Sequence, residues 1–467
     1  MATIQQHLDT INNFVWGPPL LILLTVVGVY LTVRLRGIQF RHFWYAHKLA
    51  FSKDDGKSQG DISHFQALMT ALAATIGIGS ITGVATAIAT GGVGSIFWMW
   101  VAAGLGMATK YAEGVLAIKY RIVDKRKQMC GGPMYYIEKG MKQKWLGVLF
   151  AVFGILTAIG TGNMVQSNSV ALACKELFHL DPLYTGLFLV AIIGFSLLGG
   201  IKSIGKMASI LIPAMAIFYI LGGLIIIGLR IQYVPEALMM IVKKAFTGQA
   251  AVGGFVGATV MQAIQMGVSR GVFSSEAGLG SSPIAAAAAK TDTPSRQALV
   301  SMCSVFITTG VVCTITALAV VLTGVLGQTD ATGKVLDGSS LVLRAFNSVI
   351  PGGGIIVTIA LIPFAFSTTI GWAYYGEKCL EYLFGLKSTL YYRVIYILLV
   401  LPGAMLSLDM VWSIANILNG LMAFPNLIGL LFLGGIVAQE TKLFETLLTK
   451  ERREKKTASS IVPLGES

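Results

Sequence analysis

Apolar runs long enough to cross about 30 Å of hydrocarbon recur eleven times along this chain. They fall near 14–33, 64–90, 93–118, 146–172, 183–200, 207–229, 254–281, 298–325, 353–375, 389–407 and 411–437. Residues 328–350 read as a connecting loop that holds a short helix. Two of the runs are interrupted by glycine and serine: Ala71–Gly83, with Gly77 and Gly79, and Ser269–Pro283, with Ser274, Ser275, Glu276, Gly278 and Gly280. Backbone in lipid must satisfy its own polar groups, so broken helix is tolerated only where it is buried in protein or lines a cavity. A pair of such breaks at corresponding positions is the sequence mark of a transporter's binding site.

Setting the first span aside as an extra leaves ten, and these divide into five plus five. Each half opens on a broken segment. Five is odd, so the second half enters from the opposite face and forms an inverted repeat. The pattern predicts an all-α polytopic membrane protein with eleven transmembrane helices. Its parts are an extra helix and basic loop in 1–63, repeats in 64–229 and 230–437, and a basic tail in 438–467.

Composition agrees with the pattern. Of 467 residues, 55% are hydrophobic and 12% charged, against about 25% charged in soluble chains. Most of the 54 glycines are expected to serve close helix packing. The net charge of +13 does not point to nucleic acid, because the basic residues gather in loops on one side, among them Arg34, Arg36, Lys125, Arg126, Lys127, Lys202, Lys206, Arg452 and Arg453. The other side holds only Lys175, Arg230, Lys243, Lys244, Lys334 and Arg344. This asymmetry puts the N-terminus outside and the C-terminus in the cytoplasm of a plasma (prokaryotic inner) membrane. The run Lys450–Lys456 reads as a solvated basic helix end. Residues 14–33 read as a retained span and not a secretory leader, since the segment before them carries Asp9 and no Lys or Arg. The five cysteines show neither metal-ligand spacing nor a disulfide framework, so buried packing is expected.

The breaks supply the chemistry. Unwinding at Gly77–Gly79 turns the amides of Ile78 and Gly79 toward the cavity, where they suit a carboxylate. The same unwinding frees the carbonyls of Ala73 and Ile76 for a small cation. In span 353–375, Ala365, Thr368, Thr369 and Trp372 fall on one helix face, and the threonine hydroxyls with a carbonyl form an oxygen cage suited to sodium. Asn163 and Gln166 share a face and offer amide donors suited to a carboxylate. Glu276 is the acidic residue placed deep in the membrane; pairing with Arg270 or Lys110 is preferred over direct ligand contact. Lys110 and Glu113 read as an intrahelical pair or as snorkelling side chains near a span end.

The motifs Gly60-Asp-Ile-Ser-His-Phe-Gln-Ala-Leu-Met-Thr-Ala-Leu-Ala-Ala-Thr-Ile-Gly77, Phe97-Trp-Met-Trp100, Gly106-Met-Ala-Thr-Lys-Tyr-Ala-Glu113, Gly131-Gly-Pro-Met134 and Phe273-Ser-Ser-Glu-Ala-Gly-Leu-Gly-Ser281 resemble those of the alanine or glycine:cation symporters, also called sodium:alanine symporters. The similarity runs from Trp16-Gly17 to the last span. It implies the leucine-transporter-like fold of the amino acid–polyamine–organocation superfamily and sodium-coupled uptake of alanine or glycine. Carried over by motif, the substrate pocket falls on Thr75, Gly77, Gly79, Gln166, Phe273, Ser275, Gly278, Thr368 and Trp372. The sodium site falls on Ala73, Ile76, Ala365, Thr368 and Thr369. The chain departs from the family at Ile78 and Ser80, where Thr and Asn are usual, at Ser275, where Asn is usual, and at Ile284, where an Asn is also replaced.

The expected function is sodium-coupled symport of a small neutral amino acid by alternating access, with lipid and substrate as partners, no obligate protein partner and no nucleic acid. Sodium is the co-transported ion. Proton coupling through Glu276, and broader specificity toward serine or glutamine, stay open as alternatives. An intramembrane enzyme needs a nucleophile with a base or a metal cluster. His7, His42, His47, His64 and His179 all fall in loops or at span ends, so no catalytic residue is assigned.

Overall fold

The computed structural model describes residues 2–52, 59–197, 200–249, 257–330 and 333–461. The N-terminal region holds α1 (Ala2–Val15), α2 (Pro18–Arg34), α3 (Ile38–Arg41) and α4 (Phe43–Ala50). Gly17 followed by Pro18 separates α1 from α2, with proline at the first helical position where its missing N–H costs nothing. The extra N-terminal element is therefore two helices, where the sequence pattern marked one.

The first broken element is α5 (His64–Thr75), a single turn at Ile78–Ser80 and α6 (Thr82–Gly91), with α5 and the rest bent by 65°. It leads into α7 (Ser95–Lys119), a short hairpin of β1 (Ile122–Val123) and β2 (Met129–Cys130), and α8 (Pro133–Met141). Next come α9 (Lys144–Thr157) and α10 (Val165–Phe178), joined through a wide π turn at Ala158–Met164, then α11 (Pro182–Leu197) and α12 (Gly200–Leu229). The second half holds α13 (Val234–Thr247), α14 (Val260–Ser275), α15 (Pro283–Ala286), α16 (Pro294–Val305) and α17 (Thr314–Thr323), the last two joined through a second π turn at Phe306–Cys313. It ends in α18 (Gly338–Val349), α19 (Gly354–Phe384), α20 (Ser388–Leu398), α21 (Val400–Met405) and α22 (Leu408–Ile461). The helix expected in 328–350 is α18.

Among the described residues, seven helices are long and apolar enough to cross a bilayer, or eight with the bent pair counted as one span. The other three expected spans map onto α7, whose apolarity is reduced by residues such as Lys110 and Glu113, and onto α11 and α14, each 16 residues long. The sequence boundaries also overran the second break. Ser269–Ser275 is regular helix, and the chain leaves it only at Glu276, which adopts a left-handed conformation with φ 56°.

The two broken elements begin alike. Ser63 caps α5 by accepting from the Gln66 amide, while the Gln66 side chain accepts from the Ser63 amide, at 3.2 and 3.1 Å. Thr259 and Gln262 repeat this reciprocal cap at the start of α14, at 3.2 and 2.8 Å. Each cap satisfies two amides that a helix end leaves orphaned. An S/T-x-x-Q motif at both starts is a sequence signal of the repeat that the apolar pattern did not use.

Large apolar side chains such as Phe195, Ile210 and Phe432 lie exposed on the outside, 82%, 69% and 74% accessible, as suits a surface solvated by lipid. Inside, small residues let helices approach closely. Gly114 lies where a Cβ would come within 2.9 Å of the Ala298 backbone, and Gly267 sits directly on the Ser95 carbonyl. All five cysteines are buried and free.

Gly162, in the π turn, is covered by the Trp372 side chain so closely that a Cβ there would overlap Trp372 Cβ and Cγ. Gly162→Ala is expected to destabilise the protein by about 1–3 kcal/mol through overpacking. A lowered melting temperature in detergent, set against an unchanged Gly228→Ala control (open space), checks it.

Candidate functional site

The first break lies where α5 meets α19. Thr368 Oγ1 donates to the Ala73 carbonyl at 2.9 Å, and Thr369 Oγ1 donates to the Ala365 carbonyl at 2.8 Å. Ala73 and Thr368 thus meet across two helices, whereas the Thr369–Ala365 bond is the back-bond of a threonine to the preceding turn of its own helix. Gly371 allows the approach, since a Cβ there would be 3.2 Å from that of Ala74. Ile76 ends α5 and leaves helical geometry, with ψ 82°. The donor set, two hydroxyls and backbone carbonyls, suits a hard monovalent cation, provided the hydroxyls turn their lone pairs inward.

Gly77 is extended, and a Cβ on it would overlap Thr368 Oγ1 and come within 3.4 Å of Gln166 Oε1. Beyond it, the Ser80 amide returns to the Gly77 carbonyl and the Ile81 amide to that of Ile78, at 3.1 Å each. The amides of Ile78 and Gly79 are therefore the first of the new half-helix and have no partner within it. Gly79 lies against the Phe273 ring, 2.8 Å from where its Cβ would stand. Thr75 is turned to its own helix and to Thr308, at 2.9 and 3.2 Å. Trp372 covers the π turn and stacks edge-on with Tyr375.

So Ala73, Gly77, Gln166 and Thr368 come together, Gly79 follows against Phe273, and Trp372 covers the neighbouring π turn. Gln166 donates to the Thr161 carbonyl at 3.0 Å and turns its oxygen toward Gly77, the reverse of the donor role its face suggested. Asn163 donates to the Tyr396 carbonyl, away from the site, as an interhelical bond. Ser275 holds the Ala277 amide at 3.3 Å. Gly278 is set apart, with Leu24, Leu427 and Thr109 as its side-chain neighbours. Its φ of 90° and the 80° of Gly280 favour glycine at both positions.

The second break is held by side chains that sequence spacing assigned to a minor role. Glu113 Oε1 accepts from the amides of Gly278 and Gly280 at 3.1 and 3.0 Å and from Asn426 Nδ2 at 2.7 Å. Asn426 also donates to the Gly278 carbonyl at 2.9 Å and accepts from the Tyr136 hydroxyl. Lys110 Nζ donates to the Ser275 carbonyl at 2.9 Å. Both Lys110 and Glu113 are fully buried, so neither snorkels. A partner 165 residues away along the chain leaves no trace in local spacing. Glu276 accepts from Ser281 at 2.8 Å and faces Lys110, not Arg270. Among the described residues it forms no ion pair with either of the two expected partners, since the Lys110 ammonium is spent on the Ser275 carbonyl.

Arg270 instead lies 4.8 Å from the Trp412 ring and 5.9 Å from that of Phe273, and donates to Asn416 at 3.0 Å. It borders a cavity of about 290 Å³ that also takes in Asp9, Thr82, Asp337 and Ser413. Ser80 and Ser274 bond each other at 3.0 Å beneath it, and the Ser80 carbonyl accepts from Thr316 at 3.0 Å. At the basic end the hairpin is tied down by Lys378, buried among Glu381, Cys130 and Asp124 at 2.9, 3.1 and 3.6 Å. The Asp124 carboxyl lies below its ordinary range: burial opposes this, and the Gln128 amide, the Lys378 ammonium and the Arg126 amide outweigh it. Asp124, Cys130 and Glu381 have metal-like spacing, but the lysine ammonium already supplies their positive charge.

Two like-capped broken helices meeting in a buried polar centre define a secondary transporter. The model of the sodium:alanine symporter family matches residues 1–459, and the chain belongs to that family. The sodium/alanine symporter AgcS of Methanococcus maripaludis is 55% identical over 453 residues, spanning 95% of this chain and 98% of its own length. The probable sodium/glutamine symporter GlnT of Bacillus subtilis is 37% identical, spanning 94% and 90%. Two solved structures share the leucine-transporter-like fold at 14% identity. MhsT in complex with L-phenylalanine aligns with TM-score 0.54 over 82% of this chain and 99% of that one. A Na+-coupled sialic acid symporter aligns with TM-score 0.51 over 92% and 86%.

Glu113→Ala removes charged hydrogen bonds from two buried amides, each worth about 1.5–3 kcal/mol. The variant is expected to melt at lower temperature and to lose substrate uptake altogether, whereas Lys139→Ala, at an exposed position of α8, changes neither. Detergent melting and vesicle uptake read both.

Proposed function

We propose that this chain imports a small neutral amino acid, alanine or glycine, together with sodium by alternating access. The observation that carries the reading is the junction at Gly77: extended backbone pressed on Thr368 and Gln166, with Thr368 on the Ala73 carbonyl. One side of that junction offers half-helix amides for a carboxylate, and the other offers hydroxyl and carbonyl oxygens for a cation. A bound zwitterion and sodium would neutralise each other in part, which lessens their desolvation cost. The glycine faces at Gly79 and Gly162 are already filled by Phe273 and Trp372, which supports a small side chain over a large one.

Sodium moving down about 100 mV supplies roughly 2.3 kcal/mol, and a tenfold gradient adds about 1.4 kcal/mol. Their sum supports accumulation on the order of a few hundredfold.

The deciding measurement is uptake and counterflow in proteoliposomes across labelled alanine, glycine, serine and glutamine, with and without a sodium gradient. Sodium-dependent alanine or glycine counterflow is expected. Uptake that persists without sodium and collapses with a protonophore would replace sodium by the proton. Thr368→Ala with Thr369→Ala is expected to raise the sodium concentration for half-maximal uptake about tenfold or more, equivalent to losing one charge-assisted contact. Unchanged sodium dependence would reject this site.

A further inference from the structure

At the basic end of the molecule, the end of α2, the turn into α3 and the extension of α22 enclose a cavity of about 660 Å³. Six cationic side chains line it: Arg34, Arg36, Arg41, Lys442, Lys450 and Arg453. Glu445 is the one carboxylate in the lining, and it pairs with Arg41 at 3.0 Å. Leu35, which is buried, and Ala438 form an apolar floor. With Arg41 paired to Glu445 and Arg453 left out of the balance, Arg34, Arg36, Lys442 and Lys450 still share one concave place, and an entering anion would relieve their mutual repulsion.

The surroundings identify the anion. The apolar run of α2 ends at Val33, which is 72% exposed, and Arg34 follows at once, its guanidinium 5.7 Å from the Tyr30 ring. Phe40 and Trp44, 71% and 82% exposed, project from α3 and α4 close by. Exposed aromatic residues beside basic ones at the end of a span mark the headgroup level of a membrane. A soluble phosphate would need the charges but not the apolar flank. Arginine presents a planar fork that matches phosphate oxygens, and basic pockets between helices at this level are suited to anionic headgroups.

We infer that this cavity is a binding site for the phosphate headgroup of an anionic phospholipid, held between the first span and the last. The headgroup would draw the extension of α22 onto α2 and α3 in the same place as the Arg41–Glu445 pair. The site lies outside the substrate junction and does not rest on the transport reading.

The test uses the full-length protein in nanodiscs of phosphatidylglycerol or phosphatidylcholine, released for native mass spectrometry. The expected result is phosphatidylglycerol retained and phosphatidylcholine lost. In Arg36→Gln/Lys442→Gln/Lys450→Gln, retention should fall by at least about tenfold, given that each basic residue near an anionic surface contributes measurably. Equal retention of both lipids by the wild-type protein, a comparison that needs no variant, overturns the inference. So does undiminished phosphatidylglycerol on the triple variant. Inorganic phosphate that binds alone and displaces the lipid at millimolar concentration would reassign the site to a soluble anion and overturn it as well.

Discussion

Everything at the centre of this molecule depends on a buried carboxylate doing the work of water. Helix α14 stops in the interior, and a stopped helix exposes amides and carbonyls that lipid cannot satisfy. Glu113 takes the Gly278 and Gly280 amides, and Lys110 takes the Ser275 carbonyl. One turn of α7 thus supplies both signs of charge to the two ends of one gap. Glu276, the residue at which the helix ends, accepts from Ser281 across the same gap. Like the reciprocal caps at the helix starts, this arrangement lets a broken helix exist without strain being relieved elsewhere.

The two breaks are consequently unlike in use. In the second, side chains of the protein itself bond the Gly278 and Gly280 amides and the Ser275 and Gly278 carbonyls. The first keeps its half-helix amides within reach of the junction and rests on Thr368 and Gln166. Supported backbone on one side and free half-helix amides on the other is a division that suits a binding centre.

Much of this was legible in the residues. Gly77 and Gly79 announced the first break because a matching glycine and serine interruption recurs in the second half; alone they would read as a small-residue packing face. Thr368 and Thr369 were legible because helical spacing puts them on one stripe with Ala365. The role of Glu113 was not, since spacing of three on α7 suggests a partner at Lys110 and says nothing of amides far along the chain. The donor of Gln166 was misassigned for a related reason: the π turn at Ala158–Met164 shifts the carbonyl of Thr161 under it. The separate helix α1 was missed because its polar face, with Gln5, Asp9 and Asn12, breaks the apolar run used to find spans.

That first helix has a consequence for direction. Gln5 and Asp9 reach Ser413 on α22, and with Asn12 they border the cavity that Arg270 and Trp412 also line, so a segment foreign to the paired halves walls one end. The basic end is fastened by a β hairpin and a buried lysine. Under the proposed alternating access, a carrier with such dissimilar ends must still come to the same final gradient from either side, because thermodynamics ignores the route. Its forward and backward turnover need not match, and loading and unloading can be tuned separately without touching the site between them.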